Sequence, residues 1–362
     1  MTDDTQRDEI AASAARRFAI RGELEAIEPH RRGHIHDTFV SVWQEGGAER
    51  RYLHQRINET VFGDVDALMH NVERVTRHLR AAPGEHLEAL ELVPTDAGAS
   101  WLRNSSGAWR TYVFIDGAES YDRCRDTAQA WRAARAFGDF QRRLLDLDAG
   151  ELAVTIPRFF DSPHRLVQLE AARRADVAGR AGEAGAELAF VDDRRSLVPV
   201  IEDALAAGRF PPRVVHGDTK LNNVLFDRAS GAARCVVDLD TCMAGWSLYD
   251  FGDLVRFTAA TSAEDDPDVA RAGVALDLYD ALAAGYLEGT GGFLSEEERA
   301  LMPTAARLVT LTIGMRFLAD HLAGDVYFKV SRPGHNLDRA RVQLAMVADM
   351  ERKQAAMERA GT

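Results

Sequence analysis

Hydrophobic and polar positions change rhythm twice along this chain. Short alternating runs at Leu24–Pro29, Asp37–Gln44 and Arg51–Ile57 have the period of strands, and Glu45-Gly46-Gly47 joins the last two as a hairpin turn. Val65, Leu68, Met69, Val72, Val75 and Leu79 then recur at helical spacing, which predicts an amphipathic helix over Asp64–Arg80. The strand rhythm returns at Leu90–Pro94, Ser100–Arg103 and Trp109–Ile115, with Asn104-Ser105-Ser106-Gly107 as a turn. Asp116-Gly117 closes this part, and the boundary between a first lobe (1–116) and a second (117–362) is placed there.

Beyond it the pattern is mostly helical. Phe137, Phe140 and Leu144 line one face of a helix over Asp126–Leu145; further helices are expected at Ser162–Arg174 and Arg194–Ala207. Brief apolar strands at Val214-Val215 and Arg234–Val237 flank a loop. Long helices follow at Leu248–Thr258, Asp268–Leu287, Pro303–Leu322 and Asn336–Glu358. The layout is α+β: a small β-rich lobe with one inserted helix, then a larger helical lobe, an arrangement that offers a cleft.

Composition narrows the function. The 362 residues suit about two domains at roughly 150 residues each. A net charge of −13 and the lack of any basic run argue against a nucleic-acid partner. Cys124, Cys235 and Cys242 lack metal-ligand or redox spacing and read as reduced thiols. The acidic start MTDDTQRDEI is no signal peptide, and apolar stretches such as Ala270–Tyr286 are interrupted by Asp277 and Asp280. A cytoplasmic protein with no membrane partner is expected. Of the 44 cationic side chains only Lys220, Lys329 and Lys353 are lysine, so no mechanism that needs an amino-terminal lysine is open.

The densest polar cluster is Val214-Val215-His216-Gly217-Asp218-Thr219-Lys220-Leu221-Asn222-Asn223, followed by Cys235-Val236-Val237-Asp238-Leu239-Asp240. One carboxylate follows an apolar strand with an amide five residues on, and a second carboxylate ends another strand. Phosphoryl transfer to an alcohol needs this set: a base for the acceptor hydroxyl, and oxygen ligands for Mg²⁺ on the nucleotide phosphates. Asp218 is assigned as base, Asn223 and Asp238 as metal ligands, and His216 as support for the loop. Lys220 is the lysine close to this chemistry, placed to assist the transferring phosphoryl group or to salt-bridge a neighbour. Asp250-Phe251-Gly252 spells a kinase metal motif but opens a helix, so Asp250 is read as structural.

These residues resemble the aminoglycoside phosphotransferase and choline kinase group, which has a two-lobed protein-kinase-like fold. More narrowly, Gly33-His34-Ile35, Phe137–Gln141, Asp218–Asn223, Asp238–Thr241, Tyr249–Asp253 with Arg256-Phe257, and Gly314–Asp320 look like the N-acetylhexosamine 1-kinases. The resemblance implies transfer of the ATP γ-phosphoryl group to the anomeric hydroxyl of N-acetylglucosamine or N-acetylgalactosamine. It implies sugar contacts from His34, Asp218, Phe257, Arg316 and Tyr327, and an adenine site against Tyr112, Phe114 and Ile115. Read from the helix alone, Arg316 lies in a seam of mostly small residues beside an apolar stripe, facing a cleft or pairing with Asp320 on the surface.

One departure stands out. Kinase-like folds carry a phosphate-pairing lysine on the third strand. In Arg51–Ile57 the alternation puts Leu53 and Gln55 on one face, so Gln55 takes the lysine position, with Glu73 a relic of its partner. Rival readings are a kinase of another hexose, an aminoglycoside or choline, and a nucleotide-binding protein without turnover. The oligomeric state is left open.

Overall fold

The structure is a computed structural model describing residues 2–30, 35–81 and 87–360. Its elements, in chain order, are α1 (Thr2–Ala15), β1 (Glu23–Pro29), β2 (Asp37–Glu45), β3 (Ala48–Arg56), α2 (Val65–Ala81), β4 (Leu102–Asn104), β5 (Gly107–Val113) and β6 (Ala118–Glu119). Then come α3 (Thr127–Arg143), α4 (Ser162–Ala175), α5 (Gly185–Asp192), α6 (Val200–Ala206), β7 (Arg213–Val215), β8 (Val224–Asp227), β9 (Ala233–Val236) and β10 (Met243–Gly245). The carboxy-terminal part holds α7 (Ser247–Thr258), α8 (Leu276–Thr290), α9 (Glu296–Ala300), α10 (Met302–Ala323), α11 (His335–Arg352) and α12 (Gln354–Ala360). The chain divides into two compact units: Met1–Glu119 with Gly150–Ile156 and Leu225–Met243, and Ser120–Ala149 with Pro157–Val224 and Ala244–Thr362.

The first unit is built on a five-stranded antiparallel sheet in the order β1-β2-β3-β5-β4. The β2–β3 hairpin closes at Glu45↔Ala48, with Gly46 and Gly47 at φ +60° and +85°, the left-handed pair that a two-residue hairpin turn demands. Leu90–Pro94 does not become a strand; it lies along β5 through Leu92↔Tyr112 and a bond from the Val93 N–H to the Thr111 carbonyl. One sheet face is sealed by α1, whose Ala11, Ala14 and Ala15 pack with Phe18, Phe39, Trp43 and Trp109. In α2 the apolar stripe is buried, and the Asn71 amide donates to the carbonyls of Ala153 (2.7 Å) and Cys242 (2.9 Å). Those bonds bring the two later stretches of this unit onto the helix.

In the second unit α10 is the central element, packed on α4, α7 and α11, with Leu308, Leu311, Met315, Leu318 and Leu322 fully buried. The helices α3 and α8 lie against each other through glycines: a Cβ on Gly138 would meet the Tyr286 carbonyl oxygen at 2.7 Å. The helix expected over Asp268–Leu287 starts only at Leu276, after a 3₁₀ turn at Val269–Arg271. The one expected over Asn336–Glu358 breaks at Lys353, and only Val200–Ala206 of Arg194–Ala207 is α-helical. Among the described residues no helix is long and apolar enough to cross a membrane.

Candidate active site

The loop after β7 is fixed from below by buried acids. Gly217, at φ +83°, turns the chain so that the His216 and Gly217 N–H groups both donate to the Asp250 carboxylate at 2.8 Å. That carboxylate also accepts from Gln141 Nε2 (2.5 Å), while Thr219 donates its hydroxyl to the Asp250 carbonyl (2.6 Å) and its N–H to Asp253 (3.2 Å). Burial pushes the Asp250 and Asp253 carboxyls up; the bonds to each, and Arg256 beside Asp253, oppose that shift. The His216 ring sits edge-on to Phe137 and Phe140, centroids 5.3 and 5.5 Å away, and its Nδ1 accepts the Asp218 N–H. Asp250 is therefore a brace for the loop.

On this base Asp218 is half-buried and held asymmetrically. Lys220 Nζ (2.9 Å) and Asn223 Nδ2 (3.2 Å) both donate to Oδ2, and Asn223 Nδ2 also reaches the Asp218 carbonyl at 2.8 Å. Oδ1 is the oxygen left for another partner. Lys220 lies 5.4 Å over the Phe257 ring, and Arg256, ion-paired with Asp253 and Glu264, stacks 3.8 Å over the same ring. Asp218, Lys220, Asn223 and Phe257 thus form one group.

Arg316 and Tyr327 form a second group in the same unit. The Arg316 guanidinium lies 5.6, 5.7 and 5.4 Å over the rings of Phe159, Tyr327 and Phe328 and reaches the Tyr327 hydroxyl at 3.5 Å. Asp320 does not pair with it, because its oxygens accept the N–H groups of Val326, Tyr327 and Phe328 and the Asn336 amide. A cavity of about 340 Å³ opens here, lined by Arg165, Arg316, Asp320 and Tyr327 among others. Sequence reading missed Arg165 and Phe159, since neither belongs to a motif or a periodic stripe. His34 lies outside the described residues.

In the first unit, β9 leads to Asp238, whose backbone is left-handed (φ 64°, ψ 62°), and then to a 3₁₀ turn at Leu239–Thr241. Asp240 in that turn is buried and receives both Nη groups of Arg110, Nη2 at 2.9 Å, and the Nε2 of His36. Burial alone would raise the Asp240 carboxyl, but the Arg110 guanidinium and His36 overcome it and hold the group well below the usual carboxylate range. Arg110 stands directly opposite Gln55 in the sheet and donates Nε to its Oε1 at 2.9 Å. Gln55 is therefore engaged by a buried arginine from β5, while Glu73 pairs with Arg77 on its own helix. The Tyr112 ring is buried, with its hydroxyl pKa pushed up by that burial; Phe114 stacks on Arg51 at 4.4 Å, and Ile115 is half-buried.

This chain matches the phosphotransferase enzyme family known as APH over residues 26–285. It belongs to that family. Among solved structures, an aminoglycoside phosphotransferase from Alicyclobacillus acidocaldarius superposes with a TM-score of 0.61 at 14% identity, covering 96% of this chain and 94% of that one. A spectinomycin phosphotransferase in complex with ADP and spectinomycin gives 0.59 at 12% identity, covering 97% and 98%. A choline kinase from Cryptosporidium parvum gives 0.56 at 13% identity, covering 96% of each chain. The protein-kinase-like fold is shared by all of them, and the family to which this chain belongs is one of phosphotransferases. Asn223 commits its amide nitrogen to Asp218, so its other side-chain donor is an oxygen, and Asp238, two residues past β9, carries a carboxylate; oxygen donors of this kind are those that a hard cation prefers.

Proposed function

We propose that this phosphotransferase is an ATP- and Mg²⁺-dependent sugar kinase acting on the anomeric hydroxyl of an N-acetylhexosamine. The observation that carries the reading is the asymmetry at Asp218. With Oδ2 occupied by Lys220 and Asn223, Oδ1 is presented to the acceptor hydroxyl, orients it and takes its proton as the bond to phosphorus forms. Asn223 and Asp238 would hold Mg²⁺, which neutralises phosphate charge during transfer. Lys220 holds Asp218 oriented through their ion pair, and its ammonium adds positive charge beside the reacting group. Tyr112, Phe114 and Ile115 would receive the adenine, the first through its backbone since its ring is buried.

Arg316 and Tyr327 support a hydroxylated acceptor over a cationic one. A guanidinium on an aromatic shelf repels the ammonium groups of an aminoglycoside or choline, and the one acid in the cavity lining named above, Asp320, has its oxygens taken up by backbone. Products of a sugar panel, read by phosphorus and proton NMR, report both the sugar and the carbon that receives phosphate. Asp218→Asn is expected to lower turnover about 10²–10⁴-fold with little change in nucleotide affinity. Turnover within tenfold of wild type would overturn the base assignment. The alternative of a nucleotide-binding protein without turnover draws on Gln55, which is neutral and engaged by Arg110. Thermal stabilisation by ATP-Mg²⁺ with no acceptor consumed would favour it.

A further inference from the structure

The cavity beside Arg316 contains a second guanidinium that the sugar-kinase reading does not use. Arg165, on the first turns of α4, has partners for two of its three nitrogens. Its Nη1 donates to Gln168 Oε1 at 2.8 Å and its Nη2 to the Arg158 carbonyl at 2.9 Å, while its buried Nε has no partner. Arg316 lies over the aromatic rings of Phe159 and Phe328 and lines the same cavity. Neither guanidinium meets a carboxylate within 4.0 Å among the described residues.

Two partly desolvated cations that line one cavity repel each other. Burial pulls the Arg165 pKa down, and burial together with Arg165 pulls Arg316 down to about 10. Stacking on aromatic faces offsets only part of this, at about 0.5–2 kcal/mol per cation. Arg256, the other cation that acts on Arg316, is already paired with Asp253 and Glu264. An anion held between Arg165 and Arg316 would remove the repulsion and receive charge-assisted bonds from two fixed planar forks.

We propose that the acceptor carries an anionic group, a carboxylate or a phosphate, bound jointly by Arg165 and Arg316. This rests on the reading that the Arg316–Tyr327 cavity takes the acceptor, and it narrows that acceptor to an acidic hexosamine. Arg165 is then a specificity residue: it binds the acidic substituent and stays apart from the hydroxyl that reacts.

The test uses the full chain, ATP-Mg²⁺, and three matched acceptors: N-acetylglucosamine, its 6-phosphate and its uronate. At least one acid is expected to show kcat/KM tenfold or more above the neutral sugar, and the better acid identifies carboxylate or phosphate as the bound group. Arg165→Gln should bring the acid-to-neutral ratio close to one through KM, and Arg165→Lys should restore part of it. If the neutral sugar is phosphorylated as well as or better than both acids, the anion assignment falls and the sugar-kinase reading stands. If no acceptor is phosphorylated, that reading falls. Thermal shift with each acid in the absence of nucleotide then decides the anion site: stabilisation lost in Arg165→Gln supports it, and no stabilisation removes it.

Discussion

Asp218 has two carboxylate oxygens, and its loop treats them differently; that difference comes from residues two and five positions away. Such local spacing is why the grouping of Asp218, Lys220 and Asn223 was legible in the sequence. Asp240 was visible as a letter in the second motif, but its role was not, because its partner Arg110 lies 130 residues earlier on another strand. Distance along the chain leaves no spacing to read. A buried histidine shows the same limit. His54 belongs to no motif, yet it is fully buried between the Ser41 and Thr111 hydroxyls at 2.7 and 2.8 Å, and burial lowers its pKa from 6.5 to about 3. The folded chain thus refuses a proton that the unfolded chain accepts below pH 6.5. Stability must fall as pH drops from there towards 3, by up to about 1.4 kcal/mol per pH unit. Urea midpoints of wild type are expected to decline between pH 6.5 and 5 more steeply than those of His54→Gln. Equal slopes would show that this histidine titrates alike in both states.

Among the elements, strong amphipathic helices and alternating strands were readable; weakly patterned segments were not. The α2 helix follows its apolar spacing closely, whereas α1 went unseen because it buries small alanines rather than a broad apolar stripe. At the break, the Lys353 ammonium donates to the Val274 carbonyl at 2.7 Å, a partner that no helical period encodes. The α3–α8 pair depends on backbone approach. A Cβ on Gly285 would run into the Trp131 carbonyl and one on Gly289 into that of Arg135. That contact also supports the loop after β7, since Tyr286 donates its hydroxyl to Gln141 Oε1 at 2.9 Å while Gln141 holds Asp250. Gly285→Ala gains about 1 kcal/mol of helix propensity but incurs roughly 1–3 kcal/mol or more of overpacking. Calorimetry should show a Tm lower by several degrees, and kcat should fall with it. Gly185→Ala, at an open helix start, should leave both close to wild type.

At the scale of the molecule, the first unit is assembled from three separate stretches of chain. A fragment covering residues 2–119 lacks Ala153, Cys242 and Asp240, so the Asn71 amide loses these carbonyl partners and the Arg110 guanidinium loses its carboxylate. Leaving a buried charge unpaired costs about 3–5 kcal/mol, a large share of a typical domain's stability. The fragment is expected to give poorly dispersed NMR spectra and rapid proteolysis, and Arg110→Met in the same fragment should recover part of its order. A well-dispersed spectrum from the unmodified fragment would contradict this. The same arrangement has a consequence during synthesis. Arg110 leaves the ribosome 130 residues before Asp240. At about 5–20 residues per second, the nascent sheet waits roughly ten seconds with a cation on β5 whose carboxylate partner has not yet been made. For that interval the amino-terminal strands are exposed to aggregation or to chaperone capture, and translation speed between the two residues sets how long.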